Sequence, residues 1–391
     1  MSGGVESQAD IQSHGAINPK RDTGILPTLR GNNVASVIKA SRGSPASLEF
    51  LAAVNDSITA TADPHPVQAR NVGLVQAWQR WSALREGRNQ SQSEADRIIA
   101  HLGQRFDENV ALVEETMRND PIWKMNVLAA PSALASFDNC AVFATAPLMF
   151  WRRPHVLIEL TPALQQLLES SDLGSDIPIN LLRPPAPACY IRFGEAMQRA
   201  IMPPQPKWLK SCHIEGVYVF ESVRREQRAI AMVAVYNLGE HPTLGITTID
   251  IVVDDEQKPL VGVIQQICAN KLDHEGQLHR QALAQVCTKI FLYWNVEQAR
   301  RFSEAPYSDA IKQLARVGPK KTARLGRHAG KLYDRVLLGP SALPGHVHGM
   351  HGDVAPHWRR GHFRMQPHGP HQSLRKVIFI APTLVRADRL D

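Results

Sequence analysis

The segment HVHGMHGDVAPHWRRGHFRMQPHGPH, residues 346–371, carries seven of the sixteen histidines of a 391-residue chain. Imidazole donates and accepts protons near neutral pH, and arginine grips phosphate through a planar fork of N–H donors. Metal-independent RNA cleavage needs a base for the 2′-hydroxyl proton, an acid for the leaving oxygen and cations for the developing charge. The core HWRRGHFR offers His357 and His362 as acid and base, and Arg359, Arg360 and Arg364 for phosphate. Trp358 stands beside them to stack on a base. In an unbroken strand His357 and Arg359 face one way, and Arg360, His362 and Arg364 the other. The histidines converge only if the segment kinks, and Gly361 is where a bulge would do it. The bland alternative is a terminal hairpin whose polar side chains brace loop carbonyls and do no chemistry.

A metal site is a second possibility for the same segment. His346, His348 and His351 could chelate, but zinc asks for four ligands on a rigid frame. Glycines surround these three and no cysteine is near, so neither a metal nor a cofactor is expected. Of the five cysteines, Cys140, Cys189, Cys212, Cys268 and Cys287, none forms a CxxC pair, and most sit in apolar runs. That is the usage of buried thiols in a reducing cytoplasm.

Charge points the same way as the arginines. Residues 312–391 hold fifteen Lys/Arg against four Asp/Glu, while the whole chain is only +7, so the first 311 residues are net acidic. Concentrated positive charge favours an anionic partner, nucleic acid above all. Lys320, Arg324, Arg327, Lys331 and Arg335 step by four, three, four and four after Gly318–Pro319. On one helix they form a single basic stripe able to track a phosphate backbone, or equally a solvated outer face.

The elements that must position these residues follow from periodicity. Apolar content of 43% and charged content of 21% are those of an ordinary soluble globular protein. No run approaches the ~18 apolar residues of a membrane span, and no secretion signal is read at the N-terminus, so a cytoplasmic location is expected. Residues 1–43 read as a disordered tail, 44–180 as mainly helical, 188–338 as an α+β body with the basic helix, and 339–391 as a His/Arg-rich loop and β-hairpin. SPASLEFLAAVN, GLVQAWQRWSALRE, SEADRIIAHLGQRF and ENVALVEETMRN have helical spacing, with Trp78 and Trp81 as core. ACYIRF, HIEGVYVFESV, RAIAMVAVYNL and GITTIDIVVDDE read as strands, the last three as an antiparallel meander. QLHRQALAQVCTKIFLYWNVEQARRF is apolar on nearly every side at its middle, so it is placed across the sheet with Ile290, Phe291 and Trp294 in the core. Gly369–Pro370 marks a hairpin turn before RKVIFIAPTLV. The expected fold is α+β: a mostly antiparallel sheet packed on an apolar helix, preceded by a helical N-terminal region and followed by a basic helix and a C-terminal hairpin.

His357, Arg359, Arg360, Gly361, His362 and Phe363, followed by alternating apolar positions from Lys376 to Val385, resemble the C-terminal signature of a phage- and plasmid-borne family. Its best-known member is a type V-A anti-CRISPR protein that blocks biosynthesis of the Cas effector nuclease. ACYIRF, HIEGVYVFESV, TTIDIVVDDE, LAQVCTKIFLYWN and RLGRHAGKLYDR resemble the family's elements in the same order, over about 188–391. After the second histidine this chain departs from the pattern, with Met365, Gln366 and Pro367 where aromatics are common. The resemblance implies a cytoplasmic protein of a mobile element, with two partners: the nascent polypeptide of a Cas effector, and its mRNA or the ribosome. It implies loss of that mRNA and leaves open whether the protein cuts RNA itself or recruits a nuclease. A stand-alone, toxin-like endoribonuclease and a non-enzymatic RNA- or peptide-binding protein are the alternatives.

Overall fold

A computed structural model describes residues 45–59, 61–85, 105–124, 137–194, 197–198, 201, 213–224, 226–237, 244–268, 274–297, 299–343 and 357–385. Among the described residues the N-terminal layer holds five helices: α1 (Pro45–Ser57), α2 (His65–Asn71), α3 (Leu74–Arg85), α4 (Phe106–Arg118) and α5 (Phe137–Arg152). Then come β1 (His155–Leu160), α6 (Pro162–Glu169), β2 (Ser171–Leu173), β3 (Ala188–Arg192), β4 (His213–Arg224), β5 (Gln227–Asn237) and β6 (Leu244–Val253). The helices α7 (Leu260–Cys268) and α8 (His274–Asn295) follow, then β7 (Arg301–Glu304), α9 (Pro306–Leu314), α10 (Pro319–Ala329) and β8 (Arg335–Leu338). The C-terminal strands are β9 (His357–Arg359), β10 (Gly361–His368), β11 (Leu374–Ile380) and β12 (Thr383–Val385).

The main sheet has the order β6-β5-β4-β3-β1-β8-β7. The meander β4–β5–β6 is antiparallel, as its turn-bounded β-branched runs dictate, and β3 adds antiparallel to β4. β1 lies parallel to both β3 and β8, and β7 closes the edge antiparallel to β8. The fold is therefore α+β with a mostly antiparallel sheet. β1 comes from a stretch read as mainly helical; the six residues HVLIEL, set in sequence between α5 and α6, carry no alternation that would mark a strand.

Both faces of the sheet are covered, which is why β5 reads as a continuous apolar run. Ala231, Val233 and Val235 join Tyr190, Tyr218 and Phe220 in a core under α1–α5. Ile230, Met232 and Ala234 join Val217, Val219 and Ile191 in a second core under α6–α8. In α8, Ile290 and Phe291 are fully buried and Trp294 is half-buried, as its all-round apolarity predicts. Trp78 and Trp81 are core residues: Phe50 lies 5.1 Å and 4.8 Å from their rings, and Trp123 stands 6.3 Å from Trp81. The helix read at residues 93–106 lies outside the described residues, save for its last two positions, as does Cys212. The other four cysteines are buried.

Candidate nucleic-acid interface

The C-terminal hairpin turns where Gly369–Pro370 predicts. Gly369, His371 and Gln372 take positive φ values of 75°, 51° and 55° at the tip. Its ladder is continuous in register: Arg359 stands opposite Thr383 and His362 opposite Ile380, three positions further on both strands. Between these pairs Arg360 faces the position of Pro382, which has no N–H to donate, so the ladder breaks into β9–β12 and β10–β11 without gaining a residue. The expected bulge at Gly361 is therefore absent. Glycine is required there for close approach. A Cβ would sit 2.6 Å from both Pro382 Cδ and Ser171 Oγ, and 2.8 Å from the Ile380 carbonyl oxygen.

The third chain segment at this crossing is β2, which pairs parallel with β10: Ser171 beside Gly361, Asp172 beside His362, Leu173 beside Phe363. The Gly361 N–H donates to the Ser170 carbonyl at 3.0 Å. Alternation then divides β10 cleanly. Phe363 points inward, fully buried, with its ring 4.7 Å from Phe379, which in turn packs edge-on to Tyr293 of α8. Outward lie the half-buried His362 and the exposed Arg364, and just before them the exposed Arg359 and Arg360. Across from His362 and Arg364, Ile380 and Ile378 of β11 run alongside, half-exposed.

Asp172 is the member of this face that sequence reasoning missed. Its Oδ1 accepts from Arg360 Nη1 at 3.2 Å, with both side chains exposed. Beneath it, Lys289 of α8 donates to the carbonyl oxygens of Leu168 and Ser171 and ties the α6–β2 corner to the body. Burial holds the Lys289 ammonium below its usual pKa; Asp172 opposes that effect and Arg360 adds to it. The result is one carboxylate among several cations, a face on which an incoming anion competes with Asp172 for Arg360.

Arg360, His362 and Arg364 thus share one face, as expected. Positions 357 and 362 fall on β9 and β10, on either side of the break in the ladder. The side chains of His357, Trp358 and Lys320, and the whole of His346, His348 and His351, lie outside the described residues.

The basic stripe is shorter than its spacing suggested. α10 carries Arg324 and Arg327, both exposed, and ends at Ala329 with Gly330 as its cap, leaving Lys331 just beyond. Arg335 is on β8, inside the sheet. Its guanidinium donates to Glu159 at 2.6 Å and to Glu304 at 2.8 Å, and the Tyr333 hydroxyl and Arg192 also bond Glu159. The four-residue step from Lys331 to Arg335 crosses a helix end, so it is no helical repeat, and the Arg335 charge is already paired.

A strongly perturbed carboxyl and imidazole lie elsewhere, between the helical layer and the sheet. A register shift in β4 between Ile214 and Gly216 turns Glu215 toward α2, where it accepts from the Tyr190 hydroxyl. Burial pushes the Glu215 carboxyl up to about 8. The same burial pulls His65, whose Nδ1 lies 2.7 Å from the Tyr218 hydroxyl, down to about 3. His65 is buried and Glu215 half-buried at this junction, and these groups bear on stability.

Among the described residues no helix is long and apolar enough to cross a membrane, and no three metal-ligating side chains cluster. The fold and its outward arginines define a protein with a basic, partly apolar sheet face at the C-terminus, carried on a two-faced α+β body. Residues 158–387 match the AcrVA2-like family, the anti-CRISPR type V subtype A2 family. That is more than half of the sequence, and the chain belongs to this family. The match begins in β1, some way before the region in which the resemblance was read, and runs through the hairpin. Among solved structures, the crystal structure of AcrVA2 is similar at 13% identity over 86% of this chain and 98% of that one, with a TM-score of 0.38. No protein of curated function matches.

Proposed function

We propose that this protein prevents synthesis of a type V-A effector nuclease by recognising its nascent polypeptide during translation and causing loss of the mRNA. The observation that carries this reading is that the family match runs through the His-x-Arg-Arg-Gly-His segment, whose arginines stand exposed. Basic side chains beside half-exposed isoleucines suit a partner with both anionic and apolar parts, as a ribosome-bound peptide and its RNA surroundings present. Such a protein works in the cytoplasm of the bacterial host, next to the ribosome. In this reading Arg359, Arg360 and Arg364 hold phosphate, and His362 contacts RNA from the face it shares with Arg360 and Arg364. The mRNA is lost either through cleavage by this chain or through a recruited nuclease, and the reading holds for both routes.

The test is a reporter placed behind the effector's N-terminal coding sequence. Co-expression of the protein is expected to lower reporter mRNA and protein together, and an Arg359→Ala/Arg360→Ala double variant to restore both. Unchanged reporter levels with the unaltered protein refute the reading for that target.

A further inference from the structure

A second basic surface stands apart from the hairpin, on the α9–α10 pair. From Ala310 to Tyr333 the chain holds seven Lys/Arg and no Asp or Glu. Almost none of this pair serves the core: α9 buries no residue, and in α10 Ala329 is buried and Leu325 half-buried. On the helical wheel of α10, Leu325 and Ala329 share the side turned to the body, which places Arg324, Arg327 and His328 on the opposite, exposed side. Arg316, Arg324, Arg327 and Lys331 meet no carboxylate among the described residues, whereas Arg192, Arg228 and Arg335 in the body are all paired.

The pair is nonetheless fixed at its base. Asp334 accepts from the backbone N–H groups of Tyr307 and Ser308 at 3.0 and 3.1 Å, and from the Ser308 hydroxyl, so it caps the start of α9. Arg70 of α2 lies 3.9 Å over the Tyr307 ring and donates to the carbonyl oxygens of Gly330 and Leu332 at 3.2 and 2.8 Å, just past the end of α10. A rigidly mounted helix with an uncompensated basic outer face is complementary to a rigid polyanion.

We infer that the α9–α10 pair is a docking surface for the phosphate backbone of a double-helical nucleic acid. Charge complementarity names the anion, and the absence of aromatics names the duplex. Proteins that hold single strands stack bases on aromatic rings, and the one Phe, Tyr or Trp between 306 and 332, Tyr307, is already covered by Arg70. Arg324 and Arg327, three residues and so nearly one turn apart on α10, suit neighbouring phosphates read without regard to sequence. The inference deepens the RNA side of the proposed function and rests on it for the identity of the duplex, which there is a stem of ribosomal or messenger RNA.

The experiment is binding of the purified full-length chain to three probes over a salt series: a blunt RNA duplex, the same duplex as DNA, and a single-stranded oligouridylate. Duplex binding is expected to exceed single-strand binding and to fall with salt. Arg324→Gln/Arg327→Gln should weaken duplex binding roughly tenfold or more and lower the log–log salt slope by about two, near one per lost phosphate contact. Gly326→Ala, off the basic face with nothing within 4 Å of its Cβ, is the folded control and should bind as the unaltered chain does. Equal RNA and DNA binding identifies bare backbone contacts, and an RNA preference adds a 2′-hydroxyl contact; both support the inference. Preference for the single strand, or a double variant that binds duplex unchanged, overturns it. An unaltered chain that silences the reporter yet binds no duplex defeats this inference alone; one that binds duplex yet leaves the reporter untouched defeats the proposed function alone.

Discussion

Arg360 and Asp172 illustrate what a residue can and cannot announce about its partner. The arginine stood out from its neighbours as a candidate to hold phosphate. The aspartate was not, because it sits on a three-residue strand 188 positions away with no local pattern around it. Both side chains are exposed, so Asp172→Asn should change stability by no more than about 0.5 kcal/mol. It should, however, raise RNA affinity at low salt roughly twofold or more, by freeing Arg360; melting curves and a titration read the two effects separately. Gly361 was legible as unusual, but its reason was not: the sequence offers a bulge, while the structure uses the missing Cβ for close approach. Gly361→Ala must push against a proline ring, a serine hydroxyl and a backbone carbonyl at once. The expected loss is about 1–3 kcal/mol, the usual range for overpacking, seen as a lower denaturant midpoint with an unchanged m-value.

At the scale of elements, long periodic segments were readable and short ones were not. The meander β4–β6, the apolar α8 and the terminal hairpin each declare themselves within one stretch of sequence. β1 does not, because six residues without apolar/polar alternation fit a strand or a helix turn equally and only the neighbouring β3 and β8 decide. The basic stripe was half right for a related reason: a spacing of four persists arithmetically past a helix end that only Gly330 marks, and Arg335 then belongs to a sheet. α10 also contains an exposed glycine that packs against nothing within 4 Å. Gly326→Ala should therefore stabilise the chain by about 0.5–1 kcal/mol through helix propensity and reduced unfolded-state entropy. A thermal melt that moves downward would contradict this.

At the scale of the whole molecule, the junction of helical layer and sheet gives stability a pH profile. Glu215 is raised from 4.5 to about 8, so its burial costs nothing below pH 4.5, costs progressively more as pH rises through that range, and levels off above 8. His65 is lowered from 6.5 to about 3, so its cost begins below pH 6.5 and grows with acid. Between 4.5 and 6.5 the two slopes oppose each other. Stability is expected to be nearly flat there and to fall on either side, by up to about 1.4 kcal/mol per pH unit on the alkaline limb. Glu215→Gln should flatten that limb and leave the acid limb in place, as melting temperatures across the range will report.

The molecule as a whole joins a net acidic body to a C-terminal part that carries all of the surplus positive charge, and the family it belongs to acts against type V-A CRISPR systems. The central claim is that recognition is of a nascent peptide, with the mRNA lost as a consequence. The most direct measurement compares three reporters behind the effector's N-terminal coding sequence: unaltered, synonymously recoded, and frameshifted so that nearly the same RNA encodes a different peptide. Loss of mRNA from the first two and survival of the third is the predicted result. Loss from the frameshifted reporter, or survival of the recoded one, would place recognition in the nucleotide sequence and contradict the account.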